Sequence, residues 1–343
     1  MGFVKADRYK QIRTIYLSDK EYKPISIVLD ANIIKRIQDF FYSPHKMEVS
    51  KRLSIIDFLL KYRRFDLVAG AGLEELYNRD VKSVQRFEEI MNFLINCSKK
   101  EIMYHSESTV NPMLKPLPSN RKNYETTLEQ VKSNPFNITT YAILLKSLIL
   151  ARKKTDLNKK HYIKLFEELA SFVDSDLKMF DALAINVGKL LLLGTQEYMD
   201  NGVSKLLKPS SKKLSTVIGA TWDLFYLRFI HLSQSIQFSR EIERLKSPII
   251  VTADKGFSEL ASLFSLRGEI RIQGKSLGIL EIDNSKIDEK KVDISKVIEI
   301  EERLQQNVRV RNITNNNPID LDQWDNLIKN LELEFTELLI YKG

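Results

Sequence analysis

The chain has 343 residues, of which 43% are apolar and 29% charged, with 12 glycines and 9 prolines; this excludes a disordered, collagenous or linker-dominated protein and leaves room for one elaborated domain or two. Its 53 lysines and arginines against 45 acids give a formal net charge of +8, a balance that suits a polyanionic partner and equally suits simple solubility. A single cysteine, Cys97, excludes an intramolecular disulfide and a cysteine-based zinc site and points to a reducing, cytoplasmic setting; the first residues carry no apolar signal core, and the greasiest run, LLLLG (190–194), is far too short to span a membrane.

In chain order, KPISIVLDANIIKRIQDFF (23–41) begins with an Ile- and Val-rich run too short for a helix and then changes at Asp30 and Asn32 to a 3.6-residue period, which predicts a buried strand feeding a helix. A second helix is predicted from Lys51 to Tyr62, with Leu53, Ile56 and Leu60 on one face, then a short strand in FDLVAG and a helix opening near Leu73. Strand and helix alternate here as a parallel α/β sheet requires. Between 109 and 136, four prolines (112, 116, 118 and 135) among Asn, Ser and Lys favour an irregular connection. Helical periodicity returns in ITTYAILLKSLILARKK (138–154) and in YIKLFEELASFV (162–173), where Ile163, Phe166, Leu169, Ala170 and Val173 share a face. KPSSKKL (208–214) reads as a loop before a helix at TWDLFYLRFIHL. SPIIVTADKGF (247–257) predicts a second strand that ends in an aspartate, and IRIQGKSLGILEI (270–282) a strand pair or an edge strand. In the tail, Asp320 is a candidate cap for a helix with Leu321, Trp324, Ile328, Leu331, Phe335 and Leu338 on one stripe.

The two strands that end in Asp30 and Asp254 carry the sharpest functional signal, because ligands of an open parallel sheet bind outside the carboxyl ends of its strands. Glu74 and Glu75 in AGAGLEELY and Asp223 in GATWDLFYLRFI are further acids expected at helix starts on the same edge. Taken alone, Asp30 could be an ordinary helix cap and Asp223 an ordinary first-turn acid; the repetition of the arrangement at Asp254 shifts the balance towards a site. Crowded carboxylates repel one another and are tolerated mainly when a hard divalent cation neutralises them. Such ions, Mg²⁺ or Mn²⁺, activate a water for attack on a phosphodiester.

The pieces IVLDANII, GLEELY, ATWDLFYL and IVTADKGF, in that order, resemble the PIN-domain ribonucleases, a family of metal-dependent nucleases. The resemblance implies a PIN-like, Rossmann-like parallel sheet flanked by helices: 1–97 as its first half, 98–215 as a large helical insertion, 216–282 as its second half and 283–343 as a C-terminal helical extension. It further implies an endoribonuclease in which Asp30, Glu75, Asp223 and Asp254 bind Mg²⁺ or Mn²⁺ and position the attacking water, while Asn32 and Thr252 orient carboxylates or cap the helix. Glu74 is the alternative to Glu75, and Asp181 in FDALAINVG the alternative to Asp223. RNA is preferred over DNA, and the family admits a homodimer and a protein inhibitor or partner. The competing reading is a PIN-like scaffold, weak or inactive as a catalyst, that binds nucleic acid or docks a protein; a weaker one uses Asp30 as a phosphoryl-accepting nucleophile.

Positive charge concentrates early, with net +4 over 1–97, +7 over 98–215, +1 over 216–274 and −4 over 275–343. The runs KYRRF (61–65), ARKKTDLNKKHY (151–162) and KPSSKK (208–213) are either solvated faces or rails for a nucleic-acid backbone. On the second reading Arg63, Arg64, Arg152, Lys153, Lys154, Lys212 and Lys213 contact phosphates, and Tyr62, Phe65 or Tyr162 stacks on bases. AGAG (69–72) is not a phosphate loop, since the third glycine is missing and acids follow directly. The four histidines (45, 105, 161 and 231) show no paired spacing, and no G-x-S-x-G supports a serine triad.

Overall fold

A computed structural model describes residues 3–16, 26–107, 112–115, 129, 135–153, 159–198, 203–207, 213–233, 248–272, 275–282, 284–314 and 321–340. Asp320, Lys154, Lys212 and most of the proline-rich connection lie outside the described residues. The chain is mixed α/β and divides into two compact units: Met1–Asn123, Tyr226–Ser262 and Leu266–Ile279 in the first, Tyr124–Phe225, Leu263–Ser265 and Leu280–Gly343 in the second.

The first unit is built on a five-stranded sheet. Its strands are β1 (Phe3–Ala6), β2 (Arg13–Tyr16), β3 (Ser26–Leu29), β4 (Asp66–Val68) and β5 (Ile249–Thr252), in the order β1-β2-β5-β3-β4. β3 runs parallel to both β4 and β5, with Val28 opposite Val68 and Ile250. All four residues of β3 and of β5 are buried, as expected of central parallel strands covered on both faces. The sheet is not parallel throughout: β2 is antiparallel to β5, and β1 to β2. This N-terminal hairpin is missing from the sequence reading because four-residue strands show too little alternation to register. Its turn is closed by Asp7, whose Oδ1 accepts from the N–H groups of Gln11 and Ile12, and by Lys10 in the left-handed region at φ 56°.

Three helices of this unit cover the sheet and set the candidate site. In α1 (Ala31–Tyr42), Ile33, Ile34, Ile37, Phe40 and Phe41 repeat at helical spacing and join Ile27, Leu29, Ile249 and Val251 in one core. α2 (Val49–Tyr62) adds Ile55, Phe58, Leu59 and Tyr62. Tyr62 is thereby 5% exposed and stacks edge-on with Phe65, so it is a core residue and not a platform for a base, because the apolar face of α2 has nowhere else to go. α3 (Gly70–Tyr77) starts earlier than expected and takes in the two glycines of AGAG. Glu74 and Glu75 therefore sit in its second half and not at its start. α4 (Ser83–Asn96) and α5 (Lys99–Glu107) follow.

The second unit is helical. α6 (Pro135–Lys153), α7 (Lys159–Ser171) and α8 (Ala182–Leu193) pack together, and α11 (Ile294–Thr314) and α12 (Leu321–Ile340) pack on α7 and α6. The C-terminal helices thus share a unit with α6, α7 and α8. Trp324, Ile328, Leu331 and Phe335 are the buried stripe of α12. The side chain of Lys189, fully buried in α8, donates to Glu301 Oε1 at 2.5 Å and Asn284 Oδ1 at 3.0 Å, which satisfies a charge that burial alone would penalise. Between these segments run α9 (Leu214–Ser233), α10 (Lys255–Ala261) and a separate two-stranded sheet of β6 (Phe264–Ile272) and β7 (Lys275–Ile282). The boundary between the units falls inside α9, after Phe225. Asp223 is consequently a mid-helix residue, half-buried and three positions before Tyr226, because nothing from Leu214 onward breaks the helix. Among the described residues no helix is long and apolar enough to cross a membrane.

Candidate functional site

Within the first unit, β3 and β5 are neighbours and parallel, so the aspartates that follow them emerge at the same sheet edge. Asp30, 1% exposed, follows β3 and stands at the N-cap of α1, yet its side chain makes no capping hydrogen bond. Its Oδ2 accepts instead from Thr252 Oγ1 at 2.6 Å and from Asn32 Nδ2 at 3.2 Å. The Thr252 hydroxyl in turn accepts from the N–H of Asp254 at 2.9 Å, so one side chain fixes both strand ends. Asp254 is half-buried and does cap its helix, with Oδ1 accepting from the N–H of Phe257 at 2.9 Å. Two aspartates in similar sequence contexts therefore have different duties, one turned inward and one shared with a helix end.

Glu75 is the third acid that the fold brings here. It is 7% exposed; Oε1 accepts from Arg79 Nη2 at 2.6 Å and Oε2 from the Tyr226 hydroxyl at 3.1 Å. The same hydroxyl accepts from the N–H of Ala31 at 3.1 Å and so ties Glu75 to the start of α1. Glu74, its neighbour, is half-buried on α3. Burial drives the Asp30 carboxyl above its ordinary range, the hydrogen bonds from Thr252 and Asn32 oppose this, and the charge of Asp254 adds to it. Glu75 is pushed up to about 7, first by burial, against the pull of Arg79, and then by the charges of Asp30 and Asp254. The ion pair loses to desolvation because the Arg79 side chain is 59% exposed and its charge is screened by water. Tyr226, buried beside these carboxylates, is held well above its usual range and stays a hydroxyl.

The sign of the Glu75 shift makes a stability prediction. A carboxyl held near 7 in the folded chain and near 4.5 in the unfolded one binds its proton more tightly when folded, so stability falls as pH rises from about 4.5 to about 7. Glu75→Gln, which cannot ionise, should melt within a degree or two of wild type at pH 4.5 and several degrees higher at pH 8, the stabilisation approaching about 3 kcal/mol. Thermal melts of the two proteins across that range check it; a difference independent of pH would refute the burial argument.

The other residues singled out in the sequence fall elsewhere. Asp181 lies in the second unit as the N-cap of α8, accepting from the N–H groups of Leu183 and Ala184 and from the Thr140 hydroxyl, duties that account for its burial. Asp223 stands three residues before Tyr226 on α9, where the division between the units falls. Arg63 donates to the carbonyl of Cys97, Arg152 lies 3.9 Å above the Phe335 ring, and Lys153 pairs with Glu334 at 2.6 Å. Arg64 and Lys213 are exposed. Neither Tyr226 nor Arg79 stands out in the sequence as a site residue, although Tyr226 lies within ATWDLFYL and Arg79 follows Glu75 by four residues, the spacing at which helical charges meet.

Among the described residues no group of three or more acidic, histidine or cysteine side chains is disposed to hold a metal ion. Asp30 and Asp254, which follow adjacent strands and are joined through Thr252, are hard oxygen donors of the kind that Mg²⁺ takes in ones or twos, with water or phosphate at its remaining positions. Their mutual repulsion, and the further repulsion at Glu75, is what such a charge would relieve. An α/β unit with paired aspartates at one edge of its parallel strands is the class that fold and site define. No family model, curated protein or solved structure matches the chain.

Proposed function

We propose that the chain is a PIN-like, Mg²⁺- or Mn²⁺-dependent endonuclease acting on RNA in preference to DNA. The observation that carries this reading is the pairing of Asp30 and Asp254 at the ends of adjacent parallel strands, locked to each other through the Thr252 hydroxyl. Asp30 and Asp254 would hold the ion. When bound, it would lower the pKa of a coordinated water and stabilise the oxygen that leaves the phosphodiester. Thr252 and Asn32 aim Asp30, and the α10 N-terminus fixes Asp254. Tyr226 and Arg79 hold Glu75 beside the pair, where a bound cation would favour the ionised form that burial disfavours.

A second reading, a nucleic-acid-binding or protein-docking scaffold of the same fold, draws support from one feature: both oxygens of Glu75 are already bonded within the protein. Labelled single-stranded RNA and DNA incubated with the wild type, with and without Mn²⁺, separate the two. Metal-dependent cleavage that is abolished by chelation supports the nuclease, as does a rise in melting temperature with Mn²⁺ that Asp254→Asn removes. No cleavage and no metal-dependent shift would leave the scaffold.

A further inference from the structure

Beside the aspartates, the first unit opens a cleft of about 390 Å³ that the sequence reading did not anticipate. Four cations line it, Lys35 and Arg36 of α1, Lys46 of the turn Pro44–Lys46 and Lys51 of α2, together with Asn32 and the acids Asp39, Glu48 and Asp254. Two helices and a turn thus bring four cations and three acids to one cleft that reaches Asp254, and two of the acids are paired with two of the cations. Lys35 pairs with Asp39 and Lys51 with Glu48, each at 3.2 Å along its own helix. Such solvated pairs are weak and exchange readily for a phosphate. Lys46 is exposed and forms no ion pair with a described residue.

Arg36 is half-buried at the same wall and spends Nη1 on the carbonyl of Gln11 at 3.0 Å. Burial, and after it the charge of Arg13, makes its proton easier to lose. Arg13 faces Thr252 across the β2–β5 pair. The charges of Asp7, Glu48 and Asp30 oppose that effect and hold the Arg36 guanidinium as a cation at the cleft.

We infer that this cleft seats the phosphodiester backbone of the nucleic acid, with Lys46 and Arg36 holding a phosphate next to the one presented to Asp30 and Asp254. The inference rests on the nuclease reading for the position of the reacting phosphate, but the seat itself is tested by binding without cleavage. It transfers the rail from the three basic runs of the sequence to α1 and the turn that follows it. Arg63 and Arg152 in those runs are occupied by a backbone carbonyl and an aromatic ring.

The test is the salt dependence of binding, by fluorescence anisotropy, of one sequence as single-stranded RNA and as single-stranded DNA. Wild type, Lys46→Ala, Lys46→Glu and Arg64→Ala are compared, and each is melted with and without Mn²⁺. Lys46→Ala is expected to weaken both polymers several-fold and to reduce the slope of log affinity against log salt by about 0.7, the value of one single-strand phosphate contact. Lys46→Glu should weaken them further, Arg64→Ala should match wild type, and the Mn²⁺ melts should be unchanged in all three variants. Wild-type affinity and slope in both Lys46 variants, or equal losses in Arg64→Ala, would overturn the seat, as would a wild type that binds neither polymer. A loss confined to RNA would assign Lys46 to the sugar and overturn the phosphate contact. Binding that depends on Lys46 in a protein that never cleaves would uphold the seat and remove the nuclease.

Discussion

If the chain is the proposed nuclease, Asp30→Asn is expected to abolish cleavage, by about 10³-fold or more, while leaving the protein folded and raising its melting temperature at neutral pH. The two effects have one cause. Asp30 is 1% exposed, its carboxyl is raised first by burial, and its charge also raises Glu75. Asparagine keeps the shape and an oxygen for the Thr252 and Asn32 hydrogen bonds while removing the charge. Folding no longer has to desolvate a carboxylate, and Glu75 ionises more easily beside a neutral neighbour. The same charge is what a divalent cation needs, so the Mn²⁺-dependent rise in melting temperature should vanish together with activity. Melting curves from pH 5 to 8, with and without Mn²⁺, and a cleavage assay on the same samples check this. A variant that cuts as well as wild type would remove Asp30 from the site, and one that melts lower at every pH would show that the carboxylate is a net structural asset.

Gly72→Ala is the second large effect, and it acts through backbone geometry. A Cβ on Gly72 would lie 2.7 Å from the carbonyl oxygen of Leu29, 3.1 Å from the N–H nitrogen of Ala31 and 2.5 Å from Ile34 Cδ1. The side chain of Ile34 can turn, but Leu29 and Ala31 flank Asp30, and their backbone atoms can yield only if the β3–α1 junction moves. α3 must therefore back away and carry Glu75, one turn further on, with it. Overpacking of this kind costs about 1–3 kcal/mol, or several degrees in melting temperature. On the nuclease proposal, a displacement of about 1 Å at the carboxylates would reduce cleavage by about 10²-fold. Gly70→Ala is the matched control: nothing lies within 4 Å of a Cβ there, so alanine should be neutral or stabilise by up to about 1 kcal/mol. Equal melting temperatures for Gly72→Ala and wild type would show that α3 adjusts without cost.

Local pattern made some of this legible. The burial of SIVL and IIVT is visible in their unbroken β-branched and aliphatic runs, and the stripe of α12 in its 3.6-residue period. An aspartate placed after each such strand can be read directly, since strand ends are local features. The starts of α3 and α9 were misjudged because glycine in AGAG and IGAT signals a break, and the reason a helix runs through Gly72 lies in what packs against it. The β1–β2 hairpin escaped because its strands are four residues long and its partner, β5, is more than 230 residues away.

By itself the sequence determined the alternation of strand and helix, the helical middle of the chain and the two strand-end aspartates, because each depends on residues within a few positions of one another. The tertiary structure decided which acids meet. It buried Glu75 against Tyr226 and left Glu74 half-buried, and it gave Asp181 a capping duty in another unit. It also added Tyr226, 151 residues from the glutamate it holds, and placed Lys46 and Arg36 on one cleft with Asp254. Charge, burial and hydrogen bonding between groups so distant in the chain exist only after the strands have taken their order in the sheet, and that order is not written in any local pattern.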